Sequence, residues 1–237
     1  MREFYLDMEF LKERLSEIYK QQVQQRTAAD AVYWTLRDAI RKGLLEPGSR
    51  LIEDDIASEL DISRTPVREA FRRLQSEHLL EKAPSRGLVV PILTLDGLFE
   101  IYEIDEVLFG LIARQAAQHM GSSELEMLDE YVIRMEKALA AGDLETVSKT
   151  TGEFHDLIAH GCKNVRLRRL YSQLNFPPQF RLFEFAPERI SNALVEHRKI
   201  YEAISAHDVD LAEQLAREHS RNALHAQIKA QKMSMNS

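Results

Sequence analysis

Two groups of residues combine type and spacing in ways that could do chemistry. The first lies in Ile62–Leu80, ISRTPVREAFRRLQSEHLL. Ser63 suits a helix N-cap, and Pro66 falls in the first turn, where its missing N–H costs nothing. Val67, Ala70, Phe71 and Leu74 recur at helical spacing and form one apolar stripe. Arg64, Arg68, Arg72 and Arg73 lie off that stripe, with Arg68 and Arg72 one turn apart on a shared face. A helix with an apolar back and an arginine front suits the major groove of DNA. Its guanidinium groups reach phosphates and guanine edges, while Ser63, Thr65 and the first free amides meet phosphate oxygens. A solvated basic helix has the same pattern, so the surroundings must discriminate.

The second group is His155 in GEFHDLI, His197 in VEHRKI and His219 in REHSRN. They fall on three different predicted helices, so no local spacing makes them a metal site. Histidines near carboxylates are ordinarily hydrogen-bonded or surface residues. Three imidazoles with an open coordination position are also how hydrolytic zinc enzymes are built. That alternative, a metal-dependent hydrolase, needs a general base and a substrate cleft, and neither is legible. Cys162 has no marked partner as a nucleophile. No phosphate-cradling glycine loop and no GxSxG is present.

Composition narrows the field. The chain has 237 residues, 44% hydrophobic and 29% charged, with nine glycines and seven prolines. It is long enough for two modest domains, and its residue usage favours helix. No apolar run approaches membrane-spanning length, and MREFYLDMEF lacks the basic-then-apolar character of a signal peptide. The single cysteine excludes an internal disulfide and fits a reducing cytoplasm. The net charge of −7 argues against nonspecific coating of nucleic acid. Residues 28–92 hold ten Lys/Arg and eleven Asp/Glu, yet Ser63–Arg86 holds six basic residues against three acidic ones. The positive charge is concentrated where a groove-reading element needs it.

Around the arginine helix, residues 28–42 read as a helix with Val32, Leu36, Ala39 and Ile40 inward, stopped by Gly43. Pro47-Gly48 makes a turn, and Glu53–Leu60 is a short helix joined tightly to the basic one, giving a helix-turn-helix. Leu80–Ala83 and Leu88–Pro91 pair as a ribbon around Pro84-Ser85-Arg86-Gly87, a wing with Arg86 at its tip. Upstream, residues 3–25 form an extra helix. Its seam of Phe4, Met8, Leu11, Leu15, Ile18 and Gln22 packs on the body or on a partner. From Thr94 onward the pattern is all helix: about 95–119, 122–141, 143–161, 164–184, 189–206 and 208–232. The breaks come at Gly121, Gly142-Asp143, Gly161, Pro187 and His207-Asp208, with a kink at Pro177-Pro178. The stripes fit an antiparallel bundle. The expected fold is mainly α, a winged helix-turn-helix followed by an all-α antiparallel bundle. The expected divisions are 1–27, 28–92 and 95–232.

The run LLEPGSRLIEDDIASELDISRTPVREAFRRL resembles the DNA-binding domain of the GntR family of bacterial transcription regulators. The turn-strand PGSRL, the helix IASEL, the TPVREA core and a glycine-bearing wing stand in family order. The resemblance implies base and phosphate contacts from Ser63, Arg64, Thr65 and Arg68, and a wing contact from Arg86-Gly87. Arg72 extends the same face. Asp54 stands where some members carry a contacting arginine, and His78 replaces the glycine usual before the wing.

The second half is similar to the FCD ligand-binding domain of one GntR subfamily. The matching pieces are FH at 154–155, Asn164, EH at 196–197 with Ala203-Ile204 after it, and His219. Six helices place it with the VanR-like group. By this resemblance His155, His197 and His219 are ligands of a divalent metal, for which neutral imidazole suits Zn or Ni. Thr151 stands where an aspartate is expected. Asp105 and Phe109 occupy positions often held by Arg and Glu, so Asp105 favours a cationic or hydroxylated effector over a simple carboxylate. Asp105, Thr151 and Asn164 mark the expected effector pocket. The chain is thus expected to be a cytoplasmic, homodimeric, effector-controlled regulator of operator DNA. It is not expected to be an enzyme or to have a membrane partner.

Overall fold

The computed structural model describes residues 8–41, 43–84, 86–92, 94–174 and 187–234. In chain order the elements are α1 (Met8–Gln22), α2 (Ala28–Arg41), β1 (Arg50–Leu51), α3 (Glu53–Glu59), α4 (Arg64–Ser76), β2 (Glu81–Lys82) and β3 (Leu88–Val89). These are followed by α5 (Leu95–His119), α6 (Ser122–Ala140), α7 (Leu144–Gly161), α8 (Val165–Ser172), α9 (Pro187–Ser205) and α10 (Val209–Ser234). The chain divides into two compact units, with the boundary just before Thr94.

In the first unit, the stripes on α2 and α4 face each other. Val32, Leu36, Ala39 and Ile40 meet Val67, Ala70, Phe71 and Leu74 in one buried cluster. Burial of apolar surface, about 25 cal/mol per Å², is what sets these two helices together. α1 adds Leu15 and Tyr19 to the same cluster, while Ile18 is only half-buried. Leu15 is thus inward as the expected seam has it, with Tyr19 beside it in place of Ile18. Of that seam, Phe4 lies outside the described residues.

The sheet has the order β1-β3-β2, antiparallel throughout, with Arg50 opposite Val89 and Glu81 opposite Val89 on the other side. The expected ribbon thus gains β1 as a third strand. Ser85 in its loop lies outside the described residues.

Between α4 and the wing, His78 adopts φ +56°. Leu79 N–H reaches Leu74 O and His78 N–H reaches Gln75 O, the paired bonds of a Schellman motif. Loss of the usual glycine therefore does not abolish the left-handed stop. Asp61 does the same after α3, at φ +52°.

In the second unit, α5 runs through the core with Phe109, Ile112, Ala113, Ala116 and Ala117 buried. It packs along α10 and against α7 and α9, while α6 pairs with α7 and α9. Side chains cap the starts: Thr94 accepts from Gly97 N–H, Asp143 from Thr146 N–H and Asn164 from Leu167 N–H. Each contributes about 1 kcal/mol.

One break differs from expectation. α8 ends at Ser172 and closes in i→i+3 bonds from Gln173 to Leu170 and from Leu174 to Tyr171, well short of residue 184. Pro177-Pro178 lies outside the described residues. Gly161 ends α7, as expected, but by close contact with Met120 and not by a left-handed backbone; the left-handed residue is Lys163.

Candidate functional site

The outer face of α4 forms the first candidate site. Arg64 and Arg68 are more than half exposed, and Arg72 is exposed with no ion pair among the described residues. Arg73 is turned to the body of the unit, 3.0 Å from Asp30 and with its guanidinium 3.6 Å from the Tyr33 ring centroid. An open groove of about 500 Å³ runs beside this face, lined by Arg64, Arg68, Arg72, Lys82 and Arg86 among others. Ser63 occupies the N-cap position, but its hydroxyl makes no cap bond. Thr65 is exposed. The first amides of α4 are thus not taken by a side-chain cap.

The wing is fixed by backbone geometry. Gly87 has φ +103°, and a Cβ there would lie 2.6 Å from Leu51 O. Arg50 Nε donates to Arg86 O at 2.7 Å and holds the tip against β1. Arg86 itself reaches across to the Asp54 carboxylate.

The second site gathers three elements. α7 brings His155, α9 brings His197 and α10 brings His219, and one ligand atom from each lies within 4.8 Å of the others. The ring centroids are separated by 5.0, 5.3 and 4.7 Å. His155 Nε2 and both nitrogens of His197 are buried with no hydrogen-bond partner among the described residues. Burial, together with the charge of His219, pushes His155 down to about 3 and His197 well below the usual imidazole range. Both rings are therefore neutral and carry a lone pair, the state a metal requires. Orphaned ring nitrogens in a buried cluster are a donor set that fits a divalent cation.

The other expected pocket residues differ in what engages their side chains. Asp105 on α5 is buried, accepts a hydrogen bond from Ser220 Oγ at 2.5 Å, and is pushed up to about 7 by burial, against the lowering effect of Ser220. Thr151 is buried, but its hydroxyl donates to Met135 Sδ at 3.3 Å. Asn164 is exposed and caps α8, which accounts for its side chain without a ligand. Phe109 packs between the histidines and Tyr171, stacked on the latter at 5.8 Å.

Sequence reasoning gave no role to Glu196, which accepts from His219 Nδ1 at 2.7 Å and is itself held by Arg189 and Asn222. Its adjacency to His197 gives no hint that it serves the histidine of another helix. It also gave no structural partner to Glu53 or Asp54.

Comparison with known proteins gives two family matches: the gntR family of bacterial regulatory proteins over residues 28–90 and the FCD domain over residues 100–222. The HTH-type transcriptional regulator YdhC of Bacillus subtilis (strain 168) is 29% identical over 185 residues, 77% of this chain and 83% of YdhC. The HTH-type transcriptional regulator McbR of Escherichia coli (strain K12) is 32% identical over 139 residues, 59% of this chain and 63% of McbR. The solved structure of E. coli McbR/YncC superposes with a TM-score of 0.74 at 26% identity, covering 86% of this chain and 100% of that one.

Proposed function

Since the chain belongs to the GntR family of bacterial regulatory proteins and carries an FCD domain, we propose that its α4 face reads operator DNA under control of an effector bound in the second unit. Ser63, Arg64, Thr65, Arg68, Arg72 and the Arg86-Gly87 wing make the DNA contacts. The observation that carries this is the exposed arginine face of α4 opening onto the groove beside the wing. One recognition helix covers a short half-site, so a homodimer reads a palindrome with half-sites about one helical turn apart. Among the described residues no helix is long and apolar enough to cross a membrane, and a DNA-binding role places the protein in the cytoplasm.

His155, His197 and His219 would hold a divalent cation, Zn or Ni. When bound, it supplies a positive centre for an effector oxygen. Asp105 adds a buried carboxyl whose one hydrogen-bond donor among the described residues is a serine hydroxyl, which favours an effector with an ammonium or hydroxyl group. The effector acts by population shift, binding one arrangement of the bundle better and so changing the separation of the two α4 helices. The hydrolase alternative finds no support: the relatives named above are regulators, and we assign no catalytic role.

The test is Arg68→Ala, measured by gel shift on a duplex selected by the wild-type protein from a randomised pool. Affinity falls by about 1–3 kcal/mol if Arg68 reads a base. If it meets phosphate, the salt slope drops by about one. An unchanged affinity and salt slope would remove Arg68 from the interface.

A further inference from the structure

The carboxylates at the start of α3 grip the α4 arginines in a particular way. Arg64 Nε lies 2.7 Å from Asp54 Oδ1 as an ion pair without an aligned hydrogen bond, and Arg68 donates its Nε–H to Glu53 Oε2 at 3.2 Å. In both cases the Nε side of the guanidinium lies nearest the carboxylate. No hydrogen bond from an Nη group of either arginine is found among the described residues, and both side chains are more than half exposed. The second oxygen of Asp54 accepts from Arg86 at the wing tip. One carboxylate thus ties the recognition helix to the wing.

Acidic residues in the first turn of a short helix have a bland explanation, since they complement the helix dipole. That explains why Glu53, Asp54 and Asp55 stand there. It does not explain why two of the three reach the next helix by the Nε edge of an arginine. A guanidinium is a rigid planar fork, and an arginine with free torsions loses rotamer freedom when it docks on a base. Fixing the Nε edge in advance removes much of that loss. It also points the remaining pair of N–H groups outward in the arrangement that matches guanine O6 and N7.

Resting on the reading of this face as the DNA interface, we infer that Glu53 and Asp54 are specificity-determining positioning residues. They preset Arg64 and Arg68 for bidentate recognition of guanine, so the operator half-site carries G·C pairs opposite both. Their negative charge near phosphates weakens binding to all DNA, while their orientation of the arginines favours the right sequence. The two effects have opposite signatures and can be separated.

The experiment uses the full-length protein and a duplex selected by the wild type from a randomised pool. Binding is measured at fixed salt to that duplex, to the same duplex with each preferred G·C replaced by A·T, and to a scrambled duplex. Asp54→Asn and Glu53→Gln, isosteric and partly exposed, are expected to bind the scrambled duplex as well as wild type or better. Their preference for G·C should fall by about tenfold, and Asp54→Glu should restore part of it. Equal strengthening on all three duplexes would overturn the inference, because the carboxylates would then only repel phosphate. Equal loss on all three would overturn it as well, showing that they hold the module together without aiming the arginines. Selection of a site without preferred guanines would do the same. The underlying assignment fails separately, if Arg64→Ala and Arg68→Ala bind the selected duplex like wild type.

Discussion

His219 Nδ1 and Glu196 Oε2 are 2.7 Å apart, joining α10 to α9 beside the histidine cluster. Burial pushes the Glu196 carboxyl up, but the His219 bond together with Arg189 and Asn222 outweighs it, and the group is held below the usual carboxylate range. An ionised carboxylate can only accept, so Nδ1 carries a proton and Nε2 is the nitrogen left to serve a metal. This is the outer support that metal-binding histidines ordinarily have. On the proposal that the cluster holds a metal, Glu196→Gln lowers its affinity by about 10- to 100-fold. Elemental analysis after dialysis, beside a variant with alanine at His155, His197 and His219, checks it. Equal metal content in all three proteins would end the metal assignment.

Gly87→Ala tests the wing. The backbone there is left-handed at φ +103°, and the added Cβ would sit 2.6 Å from the Leu51 carbonyl oxygen. Backbone cannot yield as a flexible side chain can, so β1 and β3 must separate or the tip must turn. The expected cost is about 1–3 kcal/mol of stability in the first unit, read by denaturant unfolding. Operator affinity should fall as Arg86 loses its place. Unchanged stability would mean that the tip relaxes freely.

His78→Gly runs the other way. A histidine at φ +56° bears a steric penalty of about 1–2 kcal/mol, partly offset by the greater unfolded-state entropy of glycine. The variant should be stabilised by about 0.5–1 kcal/mol, seen as a higher denaturant midpoint with operator affinity unaltered. A lower midpoint would mean that the His78 side chain makes a stabilising contact.

These positions show what the sequence could and could not convey. The helices were legible because their apolar stripes are periodic: Val67, Ala70, Phe71 and Leu74 all turn inward. Local backbone chemistry was less so. Gly161 and His78 each have an identity that suggests one role and a setting that imposes another, close packing for the glycine and a left-handed turn for the histidine. Least legible were the polar contacts between elements. Nothing in the spacing of Glu53 and Asp54 shows which edge of an arginine they grip, and nothing in EH at 196–197 shows that the glutamate serves His219. Such contacts depend on helix rotation and separation, which periodicity leaves free.

Asp105 carries the last prediction. Its carboxyl is buried and pushed from 3.8 up to about 7, chiefly by loss of solvent. Between those pH values the folded chain therefore holds a proton that the unfolded chain has released. The stabilising contribution of protonated Asp105 is complete below about pH 4, falls as pH rises through about 7, and is lost above that. Asp105→Asn keeps the shape and cannot ionise, so its advantage over wild type should grow from pH 5 to pH 8. The upper bound on that growth is roughly 2.7 kcal/mol, about two pH units between pH 5 and 7 at 1.36 kcal/mol for each tenfold change in the proton equilibrium. Amide hydrogen exchange in α5 and α10, measured at both pH values, reads this in the unit concerned. An advantage of equal size at pH 5 and pH 8 would show that the Asp105 carboxyl is not held protonated by its burial. A cationic effector adds a second readout. It would replace the proton as the partner of Asp105, so its affinity for wild type should rise with pH over the same interval and stay flat for the asparagine variant.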